Sequence, residues 1–190
     1  MSLATTNPHR KATVLMSGGM DSAACAHLMA AQGHTVHGIF VDFGQAARKP
    51  ESRAVARLAD VLGITSTTLH VGTAGCFGAG ELVGRNAFLL TAAIFLGRAH
   101  DGLLAIGVHA GTPYYDCSAG FIDRFKALAE EHTDGRLTVT APFLHWTKCQ
   151  IYEYVLKSGL PVDATYSCES GTIPPCGSCA SCRDRRVLGC

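Results

Sequence analysis

Apolar and polar positions along the chain follow two alternating periods. Residues 12–16 (ATVLM), 35–43 (TVHGIFVDF), 65–71, 103–108 and 137–140 are short β-rich runs, and each predicts a strand. Between them the spacing changes to that of a helix. Residues 23–31, 50–62, the strongly apolar 86–99, and 121–132 predict helices, with Val55, Leu58, Ala59 and Leu62 forming one apolar stripe. Residues 147–158 predict a further helix, and 166–190 reads as a loop-rich tail with no periodicity. Regular β-α alternation with apolar strands implies an α/β, Rossmann-like parallel sheet of five strands, covered by helices on both faces through right-handed crossovers. Ligands on such sheets gather at the carboxyl ends of the strands.

Composition narrows the class. The chain has 190 residues, of which 47% are apolar and 16% charged, enough for one substantial core. Sixteen Lys and Arg against fifteen Asp and Glu give a formal charge of +1, so no overall field draws the chain to nucleic acid or to a membrane. No apolar run reaches the roughly 18 residues of a spanning helix, and residues 1–11 are polar. A cytoplasmic protein with reduced thiols is the expectation. The nine cysteines fit it, because four are clustered at metal-ligand spacing and the others are dispersed.

The junction between the first strand and helix carries the first chemistry. Residues 17–22 (SGGMDS) form a glycine-containing turn. Gly18 and Gly19 lack the Cβ atoms that block close backbone approach, Ser17 and Ser22 offer hydroxyls, and a helix start offers unpaired N–H groups at a positive dipole end. The ligand is then anionic. Asp21 within the turn suits a phosphate only with a divalent metal between them, so ATP with Mg²⁺ is the candidate. An ordinary helix cap with two turn glycines is the plainer alternative. The string resembles the SGGxDS loop of the ATP pyrophosphatase (PP-loop) superfamily, whose members split ATP into AMP and pyrophosphate. No G-x-x-x-x-G-K-[ST] occurs, so the resemblance implies adenylation in place of γ-phosphoryl transfer.

A second site lies in the tail. Cys168, Cys176, Cys179 and Cys182 fall within fifteen residues, beside Gly171, Pro174, Pro175 and Gly177, whose turns let the thiolates converge. Four soft ligands suit a structural, tetrahedral Zn²⁺ that holds an otherwise coreless segment together. An iron–sulfur cluster and unmetallated thiols are the rival readings. Cys190 reads as a bystander. The expected division is a PP-loop ATP-binding α/β domain over 12–160 and a zinc-binding segment over 161–190 packed on it.

With the SGGMDS turn and the four cysteines, the ordered set Asp42-Phe43-Gly44-Gln45, Gly84-Arg85-Asn86, Gly107-Val108, Asp116-Cys117 and Thr147-Lys148 resembles the 7-cyano-7-deazaguanine synthase (QueC) family of the PP-loop superfamily, over roughly residues 12–186. The resemblance implies the adenine nucleotide alpha hydrolase-like fold, structural zinc, homodimerisation, and ATP-driven conversion of 7-carboxy-7-deazaguanine and ammonia into the nitrile. Ser17, Gly18, Gly19 and Ser22 are assigned to pyrophosphate, Asp21 to Mg²⁺, and Lys148 or Arg85 to charge neutralisation in the transition state. Asp42, Gln45 and Gly107 complete the nucleotide contacts; Arg85, Asn86, His109, Tyr115 and Asp116 are the substrate-side candidates. Each has a structural alternative: Arg85 bracing a loop, Lys148 at the surface, Asp42 capping a turn, Gln45 solvated, Cys117 a small buried hydrophobe. His27 and His34 read as core-edge or surface residues and Trp146 as packing.

Two departures from the family pattern stand out. Only residues 72–83 separate the third strand from Gly84, where family members carry a longer insertion, and the segment from His109 to Ser118 lacks the family's first Asp and final Arg. An acceptor larger than ammonia, such as a protein amine joined through an amide, is therefore an alternative. A tRNA thiolase, disfavoured by the near-neutral charge, and a non-catalytic binding module are the others.

Overall fold

The computed structural model of the chain describes residues 11–72 and 77–190; residues 1–10 of the polar amino-terminal stretch and 73–76 of the short connector lie outside them. Five strands, β1 (Lys11–Leu15), β2 (Thr35–Asp42), β3 (Thr65–His70), β4 (Gly102–Ala105) and β5 (Leu137–Thr140), form one sheet in the order β3-β2-β1-β4-β5. All pairings are parallel, with Val14 opposite both Gly38 and Ala105 at the centre. The chain builds outward from β1 through β2 to β3, then crosses back to lay β4 and β5 on the other side. This reversal opens a crevice beyond the carboxyl ends of β1 and β4.

Strand residues alternate between two cores. Ala12, Val14, Met16, Val36, Phe40 and Ala105 face α1 (Met20–Ala31), α2 (Arg48–Leu62) and α5 (Lys148–Ser158). Leu15, Ile39, Val41, Leu104 and Ile106 face α3 (Arg85–Phe95) and α4 (Ala119–His132). Helices α1 and α5 also pack on each other through Met20, Ala24, Ile151 and Val155. Trp146 packs against Phe143 at a tilt and against Tyr154 edge-on, the packing role expected of it.

Several boundaries differ from the sequence reading. Helix α1 starts at Met20, so Asp21 and Ser22 stand in its first turn rather than before it. Helix α3 stops at Phe95 instead of running to residue 99, because Gly97 must press against Ile39 and Arg98 takes a left-handed conformation (φ 53°) as the chain turns toward β4. Strand β4 ends at Ala105, short of residue 108, where the backbone rises over α1. The tail is not all loop. It carries α6 (Ala180–Leu188), nine residues whose only buried side chain is Cys182, too short and too polar to register as an apolar period.

Candidate nucleotide pocket and four-cysteine centre

A cavity of about 280 Å³ fills the crevice at the sheet reversal. Its floor is the Ser17–Ser22 turn. Gly18 takes φ 76°, and a Cβ there would fall 2.7 Å from the Glu51 carbonyl oxygen, so this glycine lets the turn pack on α2. Gly18 is not among the cavity-lining residues, whereas Ser17, Gly19, Asp21 and Ser22 are. The Ser22 hydroxyl donates to Gly19 O (3.0 Å) and accepts from the Ser17 N–H (3.2 Å), closing the turn on itself. Across the crevice, Gly107 lies so near the start of α1 that a Cβ would be 3.0 Å from the Asp21 carbonyl.

Asp21 and Lys148 meet here from opposite ends of the chain. Lys148 Nζ donates to Asp21 Oδ2 at 2.5 Å, both side chains being about three-quarters buried. A lysine in the first turn of a helix opposes the dipole, and the carboxylate offsets that cost. Helix α5 starts here because Thr147 and Gln150 form a capping box, the Thr147 hydroxyl accepting from the Gln150 N–H and Gln150 Oε1 from the Thr147 N–H. His109 Nε2 lies 4.0 Å from Asp21 Oδ2, oriented by a hydrogen bond between its Nδ1 and Ala110 O. Asp21 Oδ1 is buried with no partner; among the described residues only His34 Nδ1 shares that condition. A buried carboxylate oxygen without a hydrogen-bond partner, in the first turn of α1, fits a divalent cation.

The remaining candidates divide. Arg85 and Asn86 line the cavity; the Asn86 backbone N–H and side-chain Nδ2 donate to Asp116 Oδ2 (2.9 Å) and Asp116 O (3.0 Å). That buried network ties α3 to the turn at Tyr115–Cys117 and occupies Asp116. Cys117 beside it is pushed up to about 11 by burial and then by Asp116, which keeps it a protonated thiol. Tyr115 is exposed and receives a bond from Arg124. Asp42 accepts from the Gly44 N–H and faces His70, so it caps a turn and does not line the cavity. Gln45 reaches the cavity with its amide committed to Phe43 N, Val41 O and Glu51 Oε2.

Sequence reasoning missed the cavity's second wall. The tail supplies Tyr166, Ser167, Glu169, Ser181 and Arg185, and α2 supplies Glu51. The Tyr166 N–H donates to Gly18 O at 2.8 Å, joining tail to turn. Arg185 is held by Ser167, Val162 and Thr165. An arginine three residues after the last clustered cysteine was the available signal.

The cysteine centre anchors that wall. The Sγ atoms of Cys168, Cys176, Cys179 and Cys182 all lie within 4.8 Å of one another, a metal-site geometry that Cys190 does not join. The Cys176 N–H donates to Cys168 Sγ (3.3 Å) and the Cys179 N–H to Cys176 Sγ (3.4 Å). Backbone donors at Ser178 and Cys179 hold Cys176 down at about 5, in the thiolate form a metal requires, whereas burial pushes Cys182 up to about 12, so that a metal bound there would displace its proton.

A parallel five-stranded sheet with an SGGMDS turn at its reversal point, and a cavity walled by the turn and a cysteine-rich tail, is the architecture of the PP-loop α/β proteins. Solved structures share the fold: NMN synthetase from Francisella tularensis superposes with a TM-score of 0.56 at 16% identity, covering 85% of this chain and 66% of that one. A predicted subunit of tRNA methyltransferase from Methanocaldococcus jannaschii superposes with a TM-score of 0.51 at 15% identity, covering 77% and 75%. At these identities the likeness is one of fold alone.

The sequence comparisons are narrower. The family model described as "Queuosine biosynthesis protein QueC" matches residues 11–86 and 79–187. Relatives named 7-cyano-7-deazaguanine synthase include those of Prochlorococcus marinus (32% identical, 90% of this chain and 88% of the relative), Persephonella marina (33%, 90% and 88%) and Methanothermobacter thermautotrophicus (31%, 93% and 92%). The chain belongs to the QueC family and is a QueC-like synthase. No helix among the described residues is long and apolar enough to cross a membrane.

Proposed function

We propose that the chain is an ATP-dependent, AMP-forming carbon–nitrogen ligase that activates the carboxylate of 7-carboxy-7-deazaguanine and converts it with ammonia into 7-cyano-7-deazaguanine. The observation that carries this reading is the Asp21 carboxylate, with Oδ2 clasped to Lys148 and Oδ1 buried and unpartnered beside the anion-binding turn. A carboxylate oxygen is a poor leaving group, so the acid must first attack the α-phosphorus of ATP, giving an acyl-adenylate and pyrophosphate. Ammonia then displaces AMP and leaves the primary amide. A second adenylation, at the amide oxygen, turns that oxygen into a leaving group, and loss of AMP and a proton gives the nitrile.

This chain's residues suit those steps. Ser17, Gly19 and Ser22, with the N–H groups opening α1, bind the departing pyrophosphate, and Gly18 sets the turn. Lys148, Arg85 and Arg185 spread positive charge around the phosphates as negative charge develops. Asp21 Oδ1 would hold Mg²⁺, which when bound neutralises the phosphate oxygens. Asn86 lines the substrate end, and His109, outside the lining, acts through Asp21, whose Oδ2 lies 4.0 Å from its Nε2. Asp42, Gln45, Tyr115 and Asp116 act through the loops that they brace.

The four thiolates would hold Zn²⁺. A tetrahedron with Zn–S bonds of about 2.3 Å has sulfur–sulfur edges of about 3.8 Å, and Cys176 and Cys182 stand at 4.0 Å. A four-iron cube sets each thiolate beyond a different corner and spreads the set further. The ion's contribution is structural, fixing the wall that carries Tyr166, Ser167 and Arg185. Homodimerisation and a cytoplasmic location belong to the same family reading.

The test is direct. Purified protein is incubated with ATP, Mg²⁺, 7-carboxy-7-deazaguanine and ammonia, and products are identified by mass spectrometry. Nitrile with AMP and pyrophosphate is the expected result. Amide as the final product, or a conjugate with a protein amine, would redirect the acceptor assignment, and no AMP in any condition would overturn the reading. Metal analysis of the same sample is expected to give one zinc per chain and no iron.

A further inference from the structure

The mechanism leaves one half-buried acid without a task. Three carboxylates line the cavity among the described residues: Asp21, Glu51 and Glu169. Asp21 is committed to Lys148. Glu169 is locked on both oxygens, Oε1 accepting from the Ser181 N–H and hydroxyl (3.0 and 2.9 Å) and Oε2 from the Gly80 N–H (3.2 Å). Glu51 differs from both. One oxygen, Oε2, accepts a bond of 3.0 Å from the neutral Gln45 amide. The other accepts from none of the described residues, and no cation lies within ion-pair distance of either.

Glu51 is also placed where the chemistry occurs. It sits in the first turn of α2, its backbone carbonyl touching Gly18 of the phosphate turn. Gln45 holds the carboxyl from the loop after β2 by spending its own amide, which fixes the group without neutralising it. Burial raises the carboxyl above the usual carboxylate range; the Gln45 bond and Arg85 oppose that rise and Asp42 adds to it. An acid so placed is a better base at neutral pH than a solvated one.

We propose that Glu51 is the proton acceptor for the attacking amine. The inference rests on the adenylation reading above. The nitrogen lone pair forms the C–N bond at the acyl carbon of the adenylate, and the nitrogen becomes positively charged. Glu51 Oε1 takes one N–H proton, the C–O bond to AMP breaks with its electron pair leaving on the phosphate oxygen, and the amide remains. The proton then passes from Glu51 to water. Asp21 is ion-paired to Lys148 through Oδ2, and its other oxygen is the one assigned above to the divalent cation; Glu169 is bonded on both oxygens.

The two half-reactions separate this role from the rest. Substrate-dependent exchange of labelled pyrophosphate into ATP reports adenylation alone, and ammonia-dependent formation of amide or nitrile reports both steps. Glu51→Gln keeps the shape and the Gln45 hydrogen bond; it is expected to retain exchange within about threefold and to lose product formation by about 100-fold or more, the scale of general-base catalysis. Glu51→Asp, which keeps the acid one methylene shorter, is expected to recover part of the loss. Amination in Glu51→Gln at the wild-type rate would overturn the proposal. So would loss of exchange in step with amination, because Glu51 would then serve adenylation or the fold. Absence of exchange in the wild type would instead sink the ligase reading itself.

Discussion

The two glycines of the SGGMDS turn have different tasks, and alanine at each separates them. At Gly18 the backbone is left-handed (φ 76°), and a Cβ would meet Glu51 O at 2.7 Å and Ala54 Cβ at 2.9 Å. The left-handed conformation costs a non-glycine residue about 1–2 kcal/mol, and forcing a methyl into packed structure about 1–3 more. Gly18→Ala is therefore expected to lose about 2–5 kcal/mol, or a Tm shift of about 4–20 °C for a chain of this size. Gly19 has φ −81°, and its added Cβ would meet nothing closer than Ser17 Oγ at 3.4 Å, with Tyr166 O at 3.7 Å and Ser167 Oγ at 3.8 Å next. All three neighbours border the cavity. Gly19→Ala is thus expected to melt within about 2 °C of wild type, since surface-like changes stay within about 0.5 kcal/mol, while MgATP affinity falls. Thermal melts with and without nucleotide measure both effects. A Gly18→Ala protein that melts like wild type would contradict these two roles, as would a Gly19→Ala protein with lowered Tm and intact nucleotide binding.

Other expectations follow from the same geometry. Asp21→Ala should abolish AMP release while leaving the far-ultraviolet circular dichroism unchanged; unchanged AMP release would remove Asp21 from the chemistry. Asn86→Ala strands the buried Asp116 carbonyl oxygen and should cost about 1–3 kcal/mol in urea titration. Cys182→Ser, or stripping the metal with a chelator, should release the tail from its contact at Gly18 O and lose nucleotide binding, with the sheet's dichroism retained. Glu51 has a folded-state pKa raised by burial, so its contribution is present below the unfolded value and lost as pH rises through the folded one. Relative to Glu51→Gln, wild type should therefore be most stable in acid and lose that advantage toward neutral pH, as paired melts would show.

How much was legible in the sequence depended on whether a residue's partner was near it in the chain. Strand and helix periods reported the sheet because each element buries its own face, and SGGMDS and the cysteine spacing reported local turns. Lys148 could be named but not explained, because its partner Asp21 is 127 positions away. Asp42 and Gln45 matched the family pattern, but the motif could not show that one caps a turn and the other holds Glu51. Glu51 itself was invisible: on an exposed helix it would read as one more solvated acid. Helix α6 was missed because a metal-site geometry, rather than an apolar stripe, anchors it. Arg185 and Ser167 reach the cavity only after the tail folds back across the Ser17–Ser22 turn.

In the proposed reaction a carboxylate oxygen of the substrate attacks the α-phosphorus of ATP. That attack is followed by labelling the 7-carboxyl group of the substrate with ¹⁸O and analysing the nucleotide product by mass spectrometry. One labelled oxygen should appear in the phosphate of AMP. Label retained wholly outside AMP, or found in pyrophosphate or inorganic phosphate, would contradict it.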